Sequence, residues 1–166
     1  MKNNDININK IKVAIFDFDG TLAIHKDKDY LQHRKENEDK RLGYFLNAYK
    51  NVNTFYENIE ECAKSEVLYK LINDLRNKNI KLYCLSAMKY SFHLKAKQSF
   101  VNKHYGEDIE VLTVASQELK LDGVKIIQKI NDCNLNEILF IDDRKDVIEL
   151  LNKNGVNGII VDEVQY

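Results

Sequence analysis

The sequence predicts an α/β fold in which a mostly parallel sheet is flanked by helices. Short apolar runs rich in β-branched and aromatic residues, the pattern of buried strands, recur along the chain. Segments with helical apolar spacing separate most of these runs, and right-handed crossovers then bring the strands into one sheet. One long stretch, between the first two runs, exceeds what a single crossover helix needs, which indicates an insertion.

Five apolar runs are predicted to be strands. They are Ile11 to Phe16, Ile80 to Leu85, Ile109 to Ala115, Ile138 to Ile141 and Val156 to Val161. In a sheet of this kind the ligand crevice lies at the carboxyl ends of the strands. Polar residues at the end of a run are therefore the first candidates for function.

Four segments are predicted to be amphipathic helices. Ser65 and Asp122 are expected to cap the first and the third, Ser91 is expected to open the second, and the fourth stops before Gly155. Their apolar faces are Val67, Leu68, Leu71, Ile72 and Leu75; Phe92, Ala96 and Phe100; Val124, Ile127 and Ile130; and Val147, Ile148, Leu150 and Leu151.

The insertion is placed at residues 26–64, between residues 1–25 and 65–166 of the predicted α/β core. Its apolar content suits two or three short helices that fold over the crevice as a small cap. Its aromatic residues include Tyr30, Tyr44, Phe45, Tyr49, Phe55 and Tyr56. Formation of the cap's own core is the simpler interpretation of these rings, and stacking on a base or sugar is the alternative.

Length and charge narrow the function classes. With 166 residues, 25 basic and 26 acidic side chains, the chain suits one globular domain, and its net charge of −1 disfavours nonspecific nucleic-acid binding. No apolar run approaches the 18 or more residues of a membrane span, and the first residues lack a signal-peptide pattern. We therefore expect a cytoplasmic protein that does not bind membranes. Cys62, Cys84 and Cys133 are expected to be reduced and buried.

Acidic residues follow the first and fourth predicted strands. Asp17 and Asp19 are separated by one residue of an extended segment, so their carboxylates should face one crevice, and Gly20 then permits a sharp turn. Asp142 and Asp143 follow the fourth strand. Such crowding of carboxylates requires a cation, and oxygen-only ligands of this kind suit Mg²⁺ best.

Ser86 and Lys120 are further candidates for function because of where they lie relative to the predicted strands. Ser86 ends the second strand, where its hydroxyl can donate to a phosphate oxygen or cap the next turn. Lys120 precedes the helix that leads into the Asp142 strand. Most lysines are solvated, so position alone does not select it.

The stretch from residue 80 to 105 contains basic residues and no acidic ones. Its lysines are Lys81, Lys89, Lys95, Lys97 and Lys103, accompanied by His93 and His104. A solvated helix face is the simpler interpretation, and a face that meets an anionic substrate is the alternative. His25, close to the crevice, is a weak candidate for substrate contact.

These motifs, in this order, resemble the haloacid dehalogenase-like (HAD) superfamily: DFDGT at the first strand, Ser86, Lys120 and Asp142-Asp143. The resemblance extends from about Ile11 to Val161 apart from the insertion. It implies a Rossmann-like core with a cap and a Mg²⁺-dependent phosphatase that acts on a small phosphorylated metabolite. The second aspartate of the motif favours phosphate-ester over carbon–halogen chemistry.

The resemblance also implies roles for individual residues. Asp17 would be the nucleophile and form an aspartyl phosphate, and Asp19 would be the general acid and base, with its backbone carbonyl on Mg²⁺. Ser86 would bind phosphate. Lys120 would hold the nucleophile and the phosphoryl group together, although Leu121 stands where the family often has proline; Lys125 is its competitor.

The acidic motif of the family can be aligned with this chain in two registers. In the first, Asp143 is the direct Mg²⁺ ligand and Asp142 supports it, so that the metal set is Asp17, Asp19, Asp142 and Asp143. In the second, Asp142 pairs with Asp146 four residues later. We favour the first.

Alternative functions share the same motifs. A nucleotidase is weakly favoured by Asp142-Asp143-Arg144 and by the lysine-rich stretch. A phosphomutase would use the same aspartyl phosphate, and a regulatory domain would keep the phosphate site without turnover. The substrate and the oligomeric state are not indicated by the sequence.

Overall fold

The computed structural model describes residues 7–26, 59–62, 64–88 and 93–165. The strands are Val13–Phe16 (β1), Ala23–His25 (β2), Ile59–Glu61 (β3), Lys81–Ala87 (β4), Glu110–Val114 (β5), Ile138–Asp142 (β6) and Asn157–Ile160 (β7). The helices are Ser65–Asn77 (α1), His93–His104 (α2), Lys120–Ile130 (α3) and Lys145–Lys153 (α4). Short 3-10 turns cover Ile8–Lys10, Gln117–Leu119, Leu135–Glu137 and Val161–Glu163.

Five strands form one parallel sheet in the order β5-β4-β1-β6-β7. All five are the strands predicted from apolar runs, and the α/β fold class is confirmed. The central strand β1 pairs with β4 and β6, with Phe16 beside Cys84 on one side and Ile141 on the other. The carboxyl ends of these three strands therefore meet at one edge of the sheet.

Apolar side chains cover both faces of the sheet. Along β1, Ala14 and Phe16 pack into one core while Val13 and Ile15 pack into the other, as the alternation of side chains in a strand requires. The first core is completed by the buried faces of α1 and α2, and the second by those of α3 and α4. This two-sided burial explains why β1 and β6 read as uninterrupted apolar runs.

Helix starts differ from their predicted positions. The first residue of α1 is Ser65, with Lys64 in the capping position, so Ser65 is not the cap. The third helix begins at Lys120 because a 3-10 turn runs directly into it. Asp122 consequently lies in the first turn, where a carboxylate favours the helix dipole. Ile130, predicted on the buried face, is the last residue of α3 and is 66% exposed.

Two strands that the sequence analysis missed lie at the ends of the predicted insertion, β2 just before it and β3 inside its carboxyl-terminal end. β2 and β3 pair antiparallel, with Ala23 beside Glu61 and His25 beside Ile59. The segment that joins them, 27–58, lies outside the described residues, and so do the predicted cap helices and their six aromatics. The domain bounds 1–25, 26–64 and 65–166 remain predictions.

Two smaller expectations concern membranes and cysteines. Across the described ranges, no helix combines the length and the apolar character needed to cross a bilayer. Cys62, Cys84 and Cys133 are buried free thiols, as predicted. Burial is also the main cause that raises the pKa of each thiol.

Gly123 sets the approach of α3 to the sheet, so Gly123→Ala is expected to destabilise the protein. An added Cβ would lie 2.9 Å from both Leu85 Cδ2 and Val114 Cγ1. Overpacking of this kind costs about 1–3 kcal/mol, and the better helix propensity of alanine returns about 1 kcal/mol. We expect a net loss of about 1 kcal/mol in the free energy of unfolding, measured in urea. Lys125→Ala, at an exposed position of α3, is the control; equal stability of the two variants would contradict the prediction.

Candidate active site

The register of the sheet brings Asp17 and Asp142 together. Asp17 follows β1, and its backbone N–H donates to the carbonyl of Ile141 across a distance of 2.8 Å. Asp142 is the last residue of β6, directly after Ile141. Both carboxyl groups are nearly inaccessible to solvent. Two chain segments more than 100 residues apart thus place acids side by side.

Lys120 joins the two acids. Its ammonium lies 2.8 Å from Asp17 Oδ1 and 2.5 Å from Asp142 Oδ2, and its side chain is fully buried. Since Lys120 is the first residue of α3, the close packing of Gly123 on the sheet positions it at the strand ends. Its competitor Lys125 lies on the exposed side of the same helix.

One ammonium cannot neutralise two carboxylates, and the pKa values reflect this excess. Burial, together with the charges of Asp142 and Asp19, raises the pKa of Asp17 to about 6 despite the opposing effect of Lys120. Burial also raises the pKa of Asp142. Burial by itself would lower the pKa of Lys120, but the two carboxylates outweigh it and raise that pKa. The trio therefore retains an excess of negative charge that attracts a further cation.

Asp143 completes a group of acids that could hold a metal ion. One oxygen from each of Asp17, Asp142 and Asp143 lies within 4.8 Å of the other two. Asp146 is not in this group, and Arg144 pairs with it at 2.6 Å. The donors are all carboxylate oxygens, which fits the ligand preference of Mg²⁺. This geometry supports the register in which Asp143 is the direct ligand.

Asp19 is positioned by the turn that follows β1. Gly20 has a φ of 90°, a conformation in which residues with a Cβ are strained, and its N–H donates to the carbonyl of Ala23. The carbonyl of Phe18 accepts from the N–H groups of Leu22 and Ala23. This compact loop directs Asp19 toward β4 and α2, whereas Asp17 meets β6.

The partners of Asp19 are a lysine and a serine. Lys97 Nζ lies 2.5 Å from Asp19 Oδ2 and 2.7 Å from Ser86 Oγ. The Ser86 hydroxyl is 3.4 Å from the same carboxylate oxygen. Ser86 lies one residue before the end of β4 and is fully buried. Asp17, Asp19, Ser86 and Lys120 thus gather at one end of the sheet, and their catalytic roles stay predictions.

Lys97 is the site residue that sequence reasoning missed. It was included in the lysine-rich stretch, whose simpler interpretation was a solvated face; Lys95 and Lys103 are indeed exposed, but Lys97 is 4% exposed. A signal was present, because residues 97, 100 and 101 share a helical face and Phe100 and Val101 are apolar. Lys97 also lies 4.5 Å from the centre of the Phe18 ring.

His25, a candidate from the sequence, and His93, beside Lys97, are both buried. His25 ends β2, and His93 begins α2. Burial and the charge of Lys97 lower the pKa of His93, against the opposing effect of Asp19. Lys89 of the lysine-rich stretch lies outside the described residues.

Three solved structures show what this fold is similar to. The structure of a phospho-aspartyl intermediate analogue of phosphoserine phosphatase has a TM-score of 0.61 and 14% identity, covering 90% of this chain and 86% of that one. A HAD family enzyme from Bacteroides thetaiotaomicron, in complex with magnesium and inorganic phosphate, has a TM-score of 0.59 and 14% identity over 90% and 93% of the two chains.

The third is the N-terminal part of a Bacteroides fragilis protein that contains a phosphatase domain, complexed with Mg. Its TM-score is 0.57 at 14% identity, and the match covers 94% of this chain but 38% of that one. No protein-family model and no curated protein matches the sequence. At these identities the likeness shows that the chain shares the fold of these HAD and phosphatase structures, and it shows nothing further.

Proposed function

We propose that this protein is a Mg²⁺-dependent phosphatase that hydrolyses a small phosphomonoester through an aspartyl-phosphate intermediate. One observation carries the proposal: the buried Asp17 carboxylate is held by Lys120 beside Asp142 and Asp143, and Asp19, whose charge acts on Asp17, lies 3.4 Å from Ser86. The solved structures of similar fold that contain magnesium, phosphate or a phospho-aspartyl analogue support it.

Asp17 is the nucleophile in this proposal. One of its carboxylate oxygens attacks phosphorus, the bond between phosphorus and the ester oxygen breaks, and the phosphoryl group becomes attached to Asp17. A pKa of about 6 leaves Asp17 largely ionised at neutral pH and therefore able to attack. Lys120, 2.8 Å away, orients the carboxylate and offsets its charge as the phosphoryl group approaches.

Asp19 transfers the protons in this proposal, first as a general acid and then as a general base. It donates one to the departing ester oxygen, and the resulting carboxylate then accepts a proton from the water that attacks the aspartyl phosphate. Its side chain is 42% exposed, which gives both the leaving group and water access to it. The products are an alcohol and inorganic phosphate, and Asp17 is regenerated as a carboxylate.

Charge neutralisation accounts for the proposed metal requirement. A phosphate dianion must approach Asp17 and its neighbouring acids, and two like charges about 4 Å apart repel by about 4 kcal/mol at an effective dielectric constant of 20. Asp17, Asp142 and Asp143 would hold Mg²⁺, and the ion would supply positive charge for the phosphoryl oxygens. Ser86 contributes a neutral hydroxyl donor for the same oxygens.

Phosphate release from a panel of aryl, sugar and nucleoside monophosphates tests the proposal. We expect release with Mg²⁺ from at least one member and release reduced about 100-fold or more with a chelator, because the site then lacks the cation that offsets its carboxylates. Malachite-green detection of phosphate is a suitable measurement. A preference for nucleotides would identify a nucleotidase.

Two outcomes would contradict the proposal. Release that is unaffected by chelation would remove the metal from the reaction. Absence of release from every member, with magnesium still bound in a direct titration, would instead favour a phosphomutase or a phosphate-binding regulatory domain.

A further inference from the structure

The proposed reaction assigns no role to Lys97, although this buried lysine contacts both Asp19 and Ser86. We propose that Lys97 is a phosphate-binding residue: it holds Asp19 and Ser86 together before substrate binds and contacts a phosphoryl oxygen afterwards. This inference rests on the proposed function and adds a second lysine, from a different helix, to the four motifs of the HAD resemblance.

Lys97 is buried, which is unusual for a lysine. A lysine is rarely buried unless it is paired, because removal of its charge from water is costly. The Lys97 side chain is 5% exposed, and the carboxylate that it contacts is 42% exposed. An exposed partner compensates a buried ammonium poorly, which suggests that the position serves a ligand as well as Asp19.

Lys97 also lies close to Ser86, the hydroxyl proposed to bind phosphate. A phosphate oxygen that accepts from Ser86 Oγ would lie about 2.8 Å from it. Since Lys97 Nζ is 2.7 Å from the same Oγ, that oxygen would be no more than about 5.5 Å from the ammonium. The flexible four-carbon stem of a lysine closes such a gap without movement of α2.

The balance of charges in the site also favours a contact between Lys97 and phosphate. Four carboxylates, those of Asp17, Asp19, Asp142 and Asp143, face the two ammonium groups of Lys120 and Lys97. With Mg²⁺ bound and Asp19 ionised, the formal sum is zero before a phosphate dianion enters. Lys120 is already occupied by two buried acids, so Lys97 is the ammonium among the described site residues with the more exposed, and more readily exchanged, partner.

Titration of inorganic phosphate in the presence of Mg²⁺ tests this role, with Lys97→Met as the main variant. Methionine keeps an unbranched apolar stem beside Phe18 and removes the charge. We expect the dissociation constant for phosphate, and KM for a substrate, to rise about tenfold or more, as loss of a charged hydrogen bond implies. Lys95→Met, at the exposed position of the same helix two residues earlier, is the matched control and should change neither constant.

Lys97→Arg separates charge from packing. It keeps the positive charge and should retain more phosphate affinity than Lys97→Met, with thermal unfolding used to establish that each variant is folded. If Lys97→Met does not fold, the comparison of Lys97→Arg with Lys97→Gln replaces it, and the arginine variant should bind phosphate more tightly.

The outcomes distinguish this inference from the proposed function. Wild-type protein that neither binds phosphate nor turns over any ester would contradict the proposed function itself. Wild-type protein that binds phosphate, with equal affinity in folded Lys97→Met, would overturn the role of Lys97 and leave the phosphatase proposal intact.

Discussion

Asp17→Asn is expected to lower the turnover number by about 1,000-fold or more, because an amide cannot form the covalent intermediate. The substitution preserves the shape of a fully buried side chain, and Lys120 keeps its 2.5 Å contact with Asp142. It also removes a carboxylate whose pKa is raised by burial, so the folded state loses an unfavourable charge. We therefore expect stability at neutral pH to be maintained or increased.

Steady-state kinetics at saturating Mg²⁺, together with thermal unfolding, measures both effects. Asp74→Asn, at an exposed aspartate on α1, is the control and should leave activity unchanged. Substantial remaining activity of Asp17→Asn would reject Asp17 as the nucleophile. Unfolding of the variant would show instead that this carboxylate is needed for the fold.

Lys120→Met is expected to produce the largest loss of stability. Removal of one partner from a buried ion pair costs about 3–5 kcal/mol, because the remaining charge is left uncompensated. Here two carboxylates, those of Asp17 and Asp142, lose the same ammonium. Activity should also fall, and by more than in Lys125→Met, which changes an exposed residue of the same helix.

The stability loss in Lys120→Met should grow with pH. The pKa of Asp17 in the folded protein is already raised to about 6, and loss of Lys120 raises it further. A folded state that binds more protons than the unfolded state loses stability as pH rises toward the folded pKa. For Asp17 that loss ends near pH 6 in the wild type and continues above pH 6 in the variant.

Urea unfolding at about pH 5 and about pH 8 measures this difference. The gap between wild type and Lys120→Met should be larger at the higher pH. A gap that is constant across this range would indicate that packing, and not charge, is what Lys120 contributes. An activity loss greater in Lys125→Met than in Lys120→Met would transfer the lysine role to Lys125.

Much of the fold was predictable because the apolar pattern of each strand of the main sheet matches the way in which that strand is buried. The five strands of the main sheet were recognisable as apolar runs, since strands buried on both faces have no polar side to interrupt them. The strands β2 and β3 were not recognisable. Each has three residues, and Ile59–Glu61 contains two acids, so neither carries an apolar pattern.

The aspartates at the strand ends were also recognisable in advance. Parallel strands end at one edge of a sheet, so acids after the first and fourth strands had to approach one another once the strands were adjacent. Their adjacency is visible in the register, where Phe16 lies beside Ile141. The choice between Asp143 and Asp146 was different, because both fit the sequence and only the structure shows that Asp143 lies within 4.8 Å of Asp17 and Asp142 whereas Asp146 is outside this group and pairs with Arg144.

The sequence by itself determined the class of fold and the motifs that point to phosphoryl chemistry, because both are encoded in residues close together in the chain. Only the tertiary structure decided which lysines reach those motifs. Lys120 and Lys125 lie on one helix, as do Lys95 and Lys97, and in each pair one side chain is buried at the acids while the other is exposed. That difference depends on how each helix packs against the sheet, and a long-range ion pair, such as the one that joins Lys97 to Asp19, has no local signature.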